Sequence, residues 1–206
     1  IIFPWIIVNS GERSERISLI QNQLGDTQKI KLTRSLQQLE YQIMDGIHKI
    51  TLTSKPTIAV LTSHQTSENI KIADLLKSLR PYYDLASFNL KEQGLTDQKS
   101  LENLNQFDLL LVSNPKEKFT RNEKYILDQY SLNGGSQFWM LEGLNIDLKS
   151  LFNTKEKTYG FPRDLNLDDY FFNYGIKIQK KILQDLYNAP IVLASGSKEN
   201  TQYIPY

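Results

Sequence analysis

The sequence predicts an α/β fold: a three-layer sandwich whose mostly parallel sheet carries helices on both faces. Residues 57–62, TIAVLT, form a short and almost wholly apolar run, as a strand covered on both faces requires. Strand-like and helix-like segments alternate from Thr57 to Glu142, the pattern of βαβ units. The chain has 206 residues, enough for one α/β domain with a sizeable core. The expected organisation is a single domain over 1–206. An N-terminal hairpin and long helix fill 1–55, a βαβ core 56–145, and a C-terminal extension with additional strands 146–206.

Composition narrows the function. A formal net charge of +1 creates no global field that would draw nucleic acid or an anionic surface. The absence of cysteine excludes disulfides, zinc–thiolate sites, iron–sulfur clusters and a cysteine nucleophile. No apolar run approaches the roughly 20 residues of a membrane span. The opening residues, IIFPWIIV, contain Pro4 and lack a basic leader, so they read as a strand rather than a signal peptide. The chain begins with Ile1 rather than Met, and is expected to be a piece of a longer or processed protein.

In order, Ile1 to Val8 and Arg16 to Ile20 flank a turn-like Ser10–Arg13 cluster, which predicts a hairpin, with Pro4 suited to a sheet edge. Leu32, Leu36, Leu39, Ile43, Ile47 and Ile50 then predict one unbroken helix from Lys29 to Ile50. Gly46 within it implies close packing, and His48 beside the stripe is read as a surface or packing residue. After the strand at 57–62, Ile70, Ala73, Leu76 and Leu79 predict a helix stopped by Pro81. Tyr82 to Leu90 returns as a strand. Lys91 to Ser100 reads as a loop, Leu101 to Phe107 as a short helix, and Asp108 to Ser113 as a buried strand.

Phe119 to Gly135 is the best-punctuated element. Thr120 and Glu123 stand at the spacing of a capping box, and Phe119 is placed to act as a hydrophobic staple. Ile126, Leu127 and Tyr130 supply the buried face, and Gly134-Gly135 the positive-φ stop. Ser136 to Glu142 follows as the fourth strand. Further on, Asp147 to Phe152 suggests one or two helical turns, 160–162 a loop, and Leu167 to Tyr174 a helix closed by Gly175. Ile176–Ile182 and Ala189–Ala194 suggest two more strands. The end, Gln202–Tyr206, is extended and apolar-aromatic, as in a chain cut inside a strand.

In such sheets ligands sit beyond the carboxyl ends of the strands. The loops there are Thr62–Ser67, Ser113–Lys118 and Glu142–Asn145. Thr62, Ser63, His64, Gln65 and Thr66 are therefore the candidate ligand-binding residues of an alternative reading, a small-molecule or glycan-binding domain, and hydroxyls at a helix N-terminus also suit phosphate. The glycine that phosphate loops use for close approach is missing, and the simpler expectation is that Thr66 or Ser67 caps the helix. Ser63 with His64 suggests a hydrolase, but sequence neighbours rarely hold that geometry and the base needs an orienting partner. Asp168-Asp169 suggests a cation site, against which a helix-start role is expected. Tyr170–Tyr174 and Tyr203–Tyr206 are expected to be mainly core. No metal and no cofactor is expected.

Phe107–Leu141 carries a recognisable pattern, in which Phe119, Glu123, Lys124, Tyr125, Ile126, Leu127, Asp128, Gln129, Tyr130, Asn133, Gly134 and Gly135 stand together. It resembles the GldG family of gliding-motility proteins. Phe3-Pro4-Trp5, Leu39-Glu40-Tyr41, Phe172–Gly175 and Gln184–Ala194 extend the likeness over the chain. The resemblance implies a Rossmann- or flavodoxin-like fold, related to domains of intraflagellar-transport proteins. It also implies a non-enzymatic extracytoplasmic, periplasmic domain of an inner-membrane protein, anchored by spans absent from this piece. Its implied partners are the ABC permease and ATPase subunits of one complex, with other gliding or secretion components. The family's glycine-bearing loop after the central strand is replaced here by Ser63-His64-Gln65-Thr66.

Overall fold

The computed structural model describes residues 4–21, 27–146, 159–182, 192–195 and 202–205, the last two stretches as backbone. The chain divides into two compact units, Ile1–Ser54 with Gln184–Tyr206, and Lys55–Leu183.

In the first unit, β1 (Trp5–Ser10) and β2 (Arg13–Ser18) pair antiparallel, with Ser10 opposite Arg13. Gly11 takes φ 59 in the two-residue turn, as hairpin turns that match strand twist require. The hairpin forms a two-stranded sheet of its own and is not an edge of the larger one. Its inner face is covered instead by a helix. Ile17, 5% exposed, lies where a Cβ on Gly46 would stand, 2.2 Å from the Ile17 Cδ1 position, so the close packing expected at Gly46 is there. The expected single helix is two, α1 (Gln28–Gln37) and α2 (Leu39–Thr51). Gln38 has ψ 0, far from the helical value, although its N–H still reaches the Arg34 carbonyl. The bend turns the apolar stripe: Ile50 is buried, whereas Leu32 and Leu36 are exposed. Strands β9 (Val192–Ser195) and β10 (Gln202–Pro205) pair antiparallel in the same unit.

The second unit holds a four-stranded parallel sheet of β3 (Thr57–Leu61), β4 (Asp84–Phe88), β5 (Leu109–Ser113) and β6 (Ser136–Met140), in the order β4-β3-β5-β6. The topology is Rossmann/flavodoxin-like, and the order reverses between β3 and β5, the switch point where such sheets open a crevice. Ile58, Val60 and Leu111 line one face, packed by Ile72, Leu76 and Leu79. Ala59, Leu61, Leu110 and Val112 line the other with the main core, which explains why both β3 and β5 read as unbroken apolar runs.

Helix α3 (Ala73–Leu79) is only seven residues long. Ile70 falls outside it, 80% exposed, so the apolar period overstated its N-terminal reach. Helix α4 (Asp97–Leu104) starts inside the expected loop, because Thr96 accepts a bond from the Lys99 N–H and caps it. Helix α5 (Arg121–Leu132) follows expectation, with Ile126, Leu127 and Tyr130 at 2%, 0% and 1% exposure. Gly135 N–H reaches the Tyr130 carbonyl and Gly134 N–H the Ser131 carbonyl, a Schellman stop with Gly134 at φ 97.

Beyond the sheet, β7 (Leu144–Asn145) pairs with β8 (Phe161–Pro162), where a plain loop was expected. Helix α6 (Asp168–Asn173) is closed by Gly175 at φ 75, as expected. Residues 176–182 join no strand ladder, contrary to their alternation. They dock by side chains: Ile178 reaches the main core and the Lys180 ammonium bonds Asp168. The helical turns expected at Asp147 to Phe152 lie outside the described residues, as does most of the Gln184–Ala194 block.

Candidate functional site at the sheet switch point

The carboxyl ends of β3 and β5 deliver residues 62–67 and 113–118 to the same edge of the sheet. Thr62 remains tied to the sheet through its N–H (2.8 Å) and hydroxyl (3.0 Å), both donated to the Phe88 carbonyl. Ser67 is tied at the far end by its N–H to the Ser113 carbonyl, 2.8 Å. Between these anchors the backbone turns sharply, with His64 at φ 62 and Gln65 at φ 48. Two successive non-glycine residues in the left-handed region are uncommon and strained.

The turn drives the His64 side chain inward. His64 is 1% exposed, and its ring lies flat on Phe119, with centroids 3.8 Å apart and planes at 8°. Ser63 Oγ stands 2.9 Å from Nδ1 and accepts from the Leu90 N–H at 3.3 Å. With one hydrogen and two lone pairs, the Ser63 hydroxyl pairs with Nδ1 in either ring tautomer. Nε2 faces Glu123 Oε1 at 3.3 Å, but no hydrogen bond of acceptable geometry is made there. The approach is a close contact rather than a formed hydrogen bond.

Glu123 is held from its other side. Its Oε2 accepts from the Thr120 N–H at 2.7 Å, while its own N–H bonds Thr120 Oγ1 at 3.2 Å, completing the capping box. Burial alone would raise this carboxyl. The His64 ring and the Thr120 groups outweigh burial and hold it at about 2. The Thr120 N–H, short and well directed, is the firmer of these partners.

Phe119 does not act as a staple. The staple position one turn into α5 is Lys124, which pairs with Asp169 at 2.6 Å, and Phe119 packs on His64 and Trp139 instead. Nor do Thr66 and Ser67 cap α3. Thr66 Oγ1 donates to the Leu61 carbonyl at 2.9 Å, and α3 starts at Ile72 without a side-chain cap. Gln65 Nε2 donates to Glu117 Oε1 at 2.7 Å, and Lys91 Nζ meets Glu117 Oε2 at 2.6 Å. The His64 carbonyl accepts from the N–H groups of Lys116 and Glu117. All five candidate residues are thus brought together, and each polar side chain among them is directed at the chain itself.

The third loop joins through a residue that sequence reasoning missed. Arg163 Nη1 bonds Asn114 Oδ1 at 2.6 Å and the Pro115 carbonyl at 3.3 Å, while Nη2 lies 3.4 Å from Glu142 Oε2. Asn114, at φ 45, is the other left-handed residue at this edge. Only the Asn-Pro pair after β5 hinted at this geometry in the sequence.

A cavity of about 340 Å³ is lined by Leu141 and by Glu142, Gly143 and Leu144 of the third loop, and two larger ones lie away from residues 62–67. One of about 530 Å³ runs between α6 and residues 176–180, and one of about 570 Å³ opens beside Asp108, Tyr130 and Gly134 at the opposite edge of the sheet. Neither is lined by residues 62–67. Asp168 and Asp169 occupy the first turn of α6, and each meets a different lysine, Lys180 and Lys124. Among the described residues no group of three or more His, Asp or Glu is placed to hold a metal. Tyr170 and Phe171 are core, whereas Phe172 and Tyr174 are exposed. His48 lies exposed on α2.

A family model described as "ABC-type uncharacterized transport system" matches residues 55–206. The chain belongs to this family. The match begins at Lys55, where the parallel-sheet unit begins. Membership ties this ABC-type transport family domain to an ABC-type transport system. No curated protein matches the chain. One similar solved structure, mmIFT52 N-terminal domain, is 21% identical, with 73% of this chain and 64% of that chain covered and a TM-score of 0.43. The family domain thus spans less than two thirds of that chain. No helix among the described residues is long and apolar enough to cross a membrane.

Proposed function

We propose that the chain is a non-enzymatic binding or scaffold domain of an ABC-transporter-like complex, working outside the cytoplasm as part of a membrane-anchored protein of the gliding-motility GldG type. The observation that carries this reading is the state of the switch-point crevice. The place where this fold receives ligands is filled by the buried His64 ring, stacked on Phe119 and flanked by Ser63 and Glu123. The Thr62, Ser63 and Thr66 hydroxyls, the Gln65 amide and the Thr62, Thr66 and Ser67 N–H groups are bonded within the chain, which reduces the groups the loop offers to a phosphate or sugar. The partners this reading names are the permease and ATPase of the same complex.

The line Ser63–His64–Glu123 favours a second reading, a hydrolase, because it orders hydroxyl, imidazole and carboxylate. Against it, Ser63 is 9% exposed and its Oγ already accepts from Leu90, so a substrate carbonyl has no route to it.

The test is affinity purification of the intact membrane protein. Co-purification of permease and ATPase, and its loss on changing exposed residues while folding survives, supports the scaffold reading. Turnover of an ester or glycoside by the purified chain, abolished in His64→Ala, would sink it.

A further inference from the structure

We infer that residues 63–66 form a latch that opens as one unit between fixed points at Thr62 and Ser67, with the His64 ring as its bolt. The fixed points are the sheet-type bonds of Thr62 to Phe88 and of Ser67 to Ser113. Besides the Gln65–Glu117 and Thr66–Leu61 bonds, the contacts between them centre on one side chain and one carbonyl. The His64 ring sits between Ser63 Oγ, Glu123 Oε1 and the Phe119 face, and the His64 carbonyl takes the amides of Lys116 and Glu117. Ser63 Oγ in turn holds the Leu90 amide. One motion of the loop therefore releases the ends of three strands, β3, β4 and β5.

Two features set the closed form under tension. His64 and Gln65 both occupy the left-handed region without being glycine, a strain that an opened loop relieves. The buried Nε2 has no properly formed hydrogen bond, so the ring gives up part of its hydration on closing. When the bolt withdraws, it leaves a slot with Phe119 as its floor and Glu123 at its edge. That slot fits a planar ring carrying an N–H group. The inference stands on this geometry alone and holds whether or not the chain serves transport.

Amide hydrogen exchange on the chain tests it, because the latch bonds have named reporters. In the unaltered chain the amides of Leu90, Lys116 and Glu117 should share one protection factor, lower than those of Val60 and Leu111 in the central strands. His64→Gly removes the bolt and relieves the strain. It should cut protection of all three reporters by about 10- to 100-fold, the range set by one or two lost buried contacts, and leave Val60 and Leu111 unchanged. Added imidazole should restore the three reporters in that variant, saturably, and change nothing in the unaltered chain. Emission of Trp139, which meets Phe119 edge-on at 5.7 Å, should follow the same course in a Trp5→Phe background. Ser63→Ala is the milder variant, keeping the ring while cutting its tie to Leu90. It should again lower all three reporters together. Exchange of the reporters only in step with the central strands, at three unrelated rates, or without response to imidazole in His64→Gly would overturn the latch and leave His64 a static filler.

Discussion

Two strand-to-helix connections reach the same edge of the sheet and solve the same problem in opposite ways. After β5 the chain enters α5 through a complete capping box, and the twelve-residue helix buries Glu123, Ile126, Leu127 and Tyr130. After β3 it wanders through a strained loop into a seven-residue helix with no side-chain cap and no buried residue. The first connection satisfies its backbone locally, through residues three apart. The second spreads its polar groups over the ends of β3, β4 and β5 and the Glu117 carboxylate. The two are not independent, since the Glu123 that closes the α5 cap is also the carboxylate that faces His64. The contrast teaches that the well-made helix start stabilises the ill-made one.

Four measurements break or sharpen this contrast. The largest effect belongs to the α5 face. Leu127→Ala should cost about 2–5 kcal/mol by removing a fully buried side chain, read as a lower midpoint in urea. Acid comes next. The Glu123 carboxyl, with an ordinary value of 4.5, is held at about 2 in the folded chain. The lowered value means that its stabilisation is complete above the ordinary value and is lost as pH falls from there toward 2. Because the His64 ring makes no proper hydrogen bond to this carboxylate, the loss should be about 1–2 kcal/mol, less than the whole shift would give. Thermal unfolding of the unaltered chain and of Glu123→Gln, compared from neutral pH to pH 2, should show the steeper fall in the unaltered chain. Equal slopes would remove Glu123 from the account. Thr120→Ala, which deletes the cap hydroxyl, should cost about 1 kcal/mol in the same denaturant assay. On the other side of the contrast, Ile70→Ser should change stability by less than about 0.5 kcal/mol, because this residue at 80% exposure belongs to no packed face. A loss comparable with Leu127→Ala would show that the β3 connection is better packed than its short helix suggests.

What the sequence made legible follows the same division. The strands at 57–61 and 109–113, the capping box and the double-glycine stop are all written in residues within six positions of one another. Each appears where its local chemistry places it. The loop at 62–67 was recognised as a strand-end loop, yet its wiring was not. Thr66 has the composition of a cap, but its hydroxyl finds the Leu61 carbonyl first. His64 is defined by Phe119 and Glu123, more than fifty positions away, and no local period encodes that. One signal was available: a staple at Phe119 needs an apolar partner, and Lys124 is not one, so the ring had to pack elsewhere. Alternation over Ile176–Ile182 misled for the opposite reason. Period two reports which side chains turn inward, and an extended segment can satisfy that without joining a ladder.

At the far end of α5, a Cβ built on Gly135 would lie 2.2 Å from the Tyr130 ring. The ring therefore rests directly on main chain, while its hydroxyl donates to the Phe107 carbonyl at 3.0 Å. The six residues from Tyr130 to Gly135 consequently behave as one indivisible part. A chimera that swaps the helix or the strand alone brings an alien tyrosine or an alien turn to that spot. Grafting must carry the whole hexapeptide, and an inserted residue there has nowhere to go.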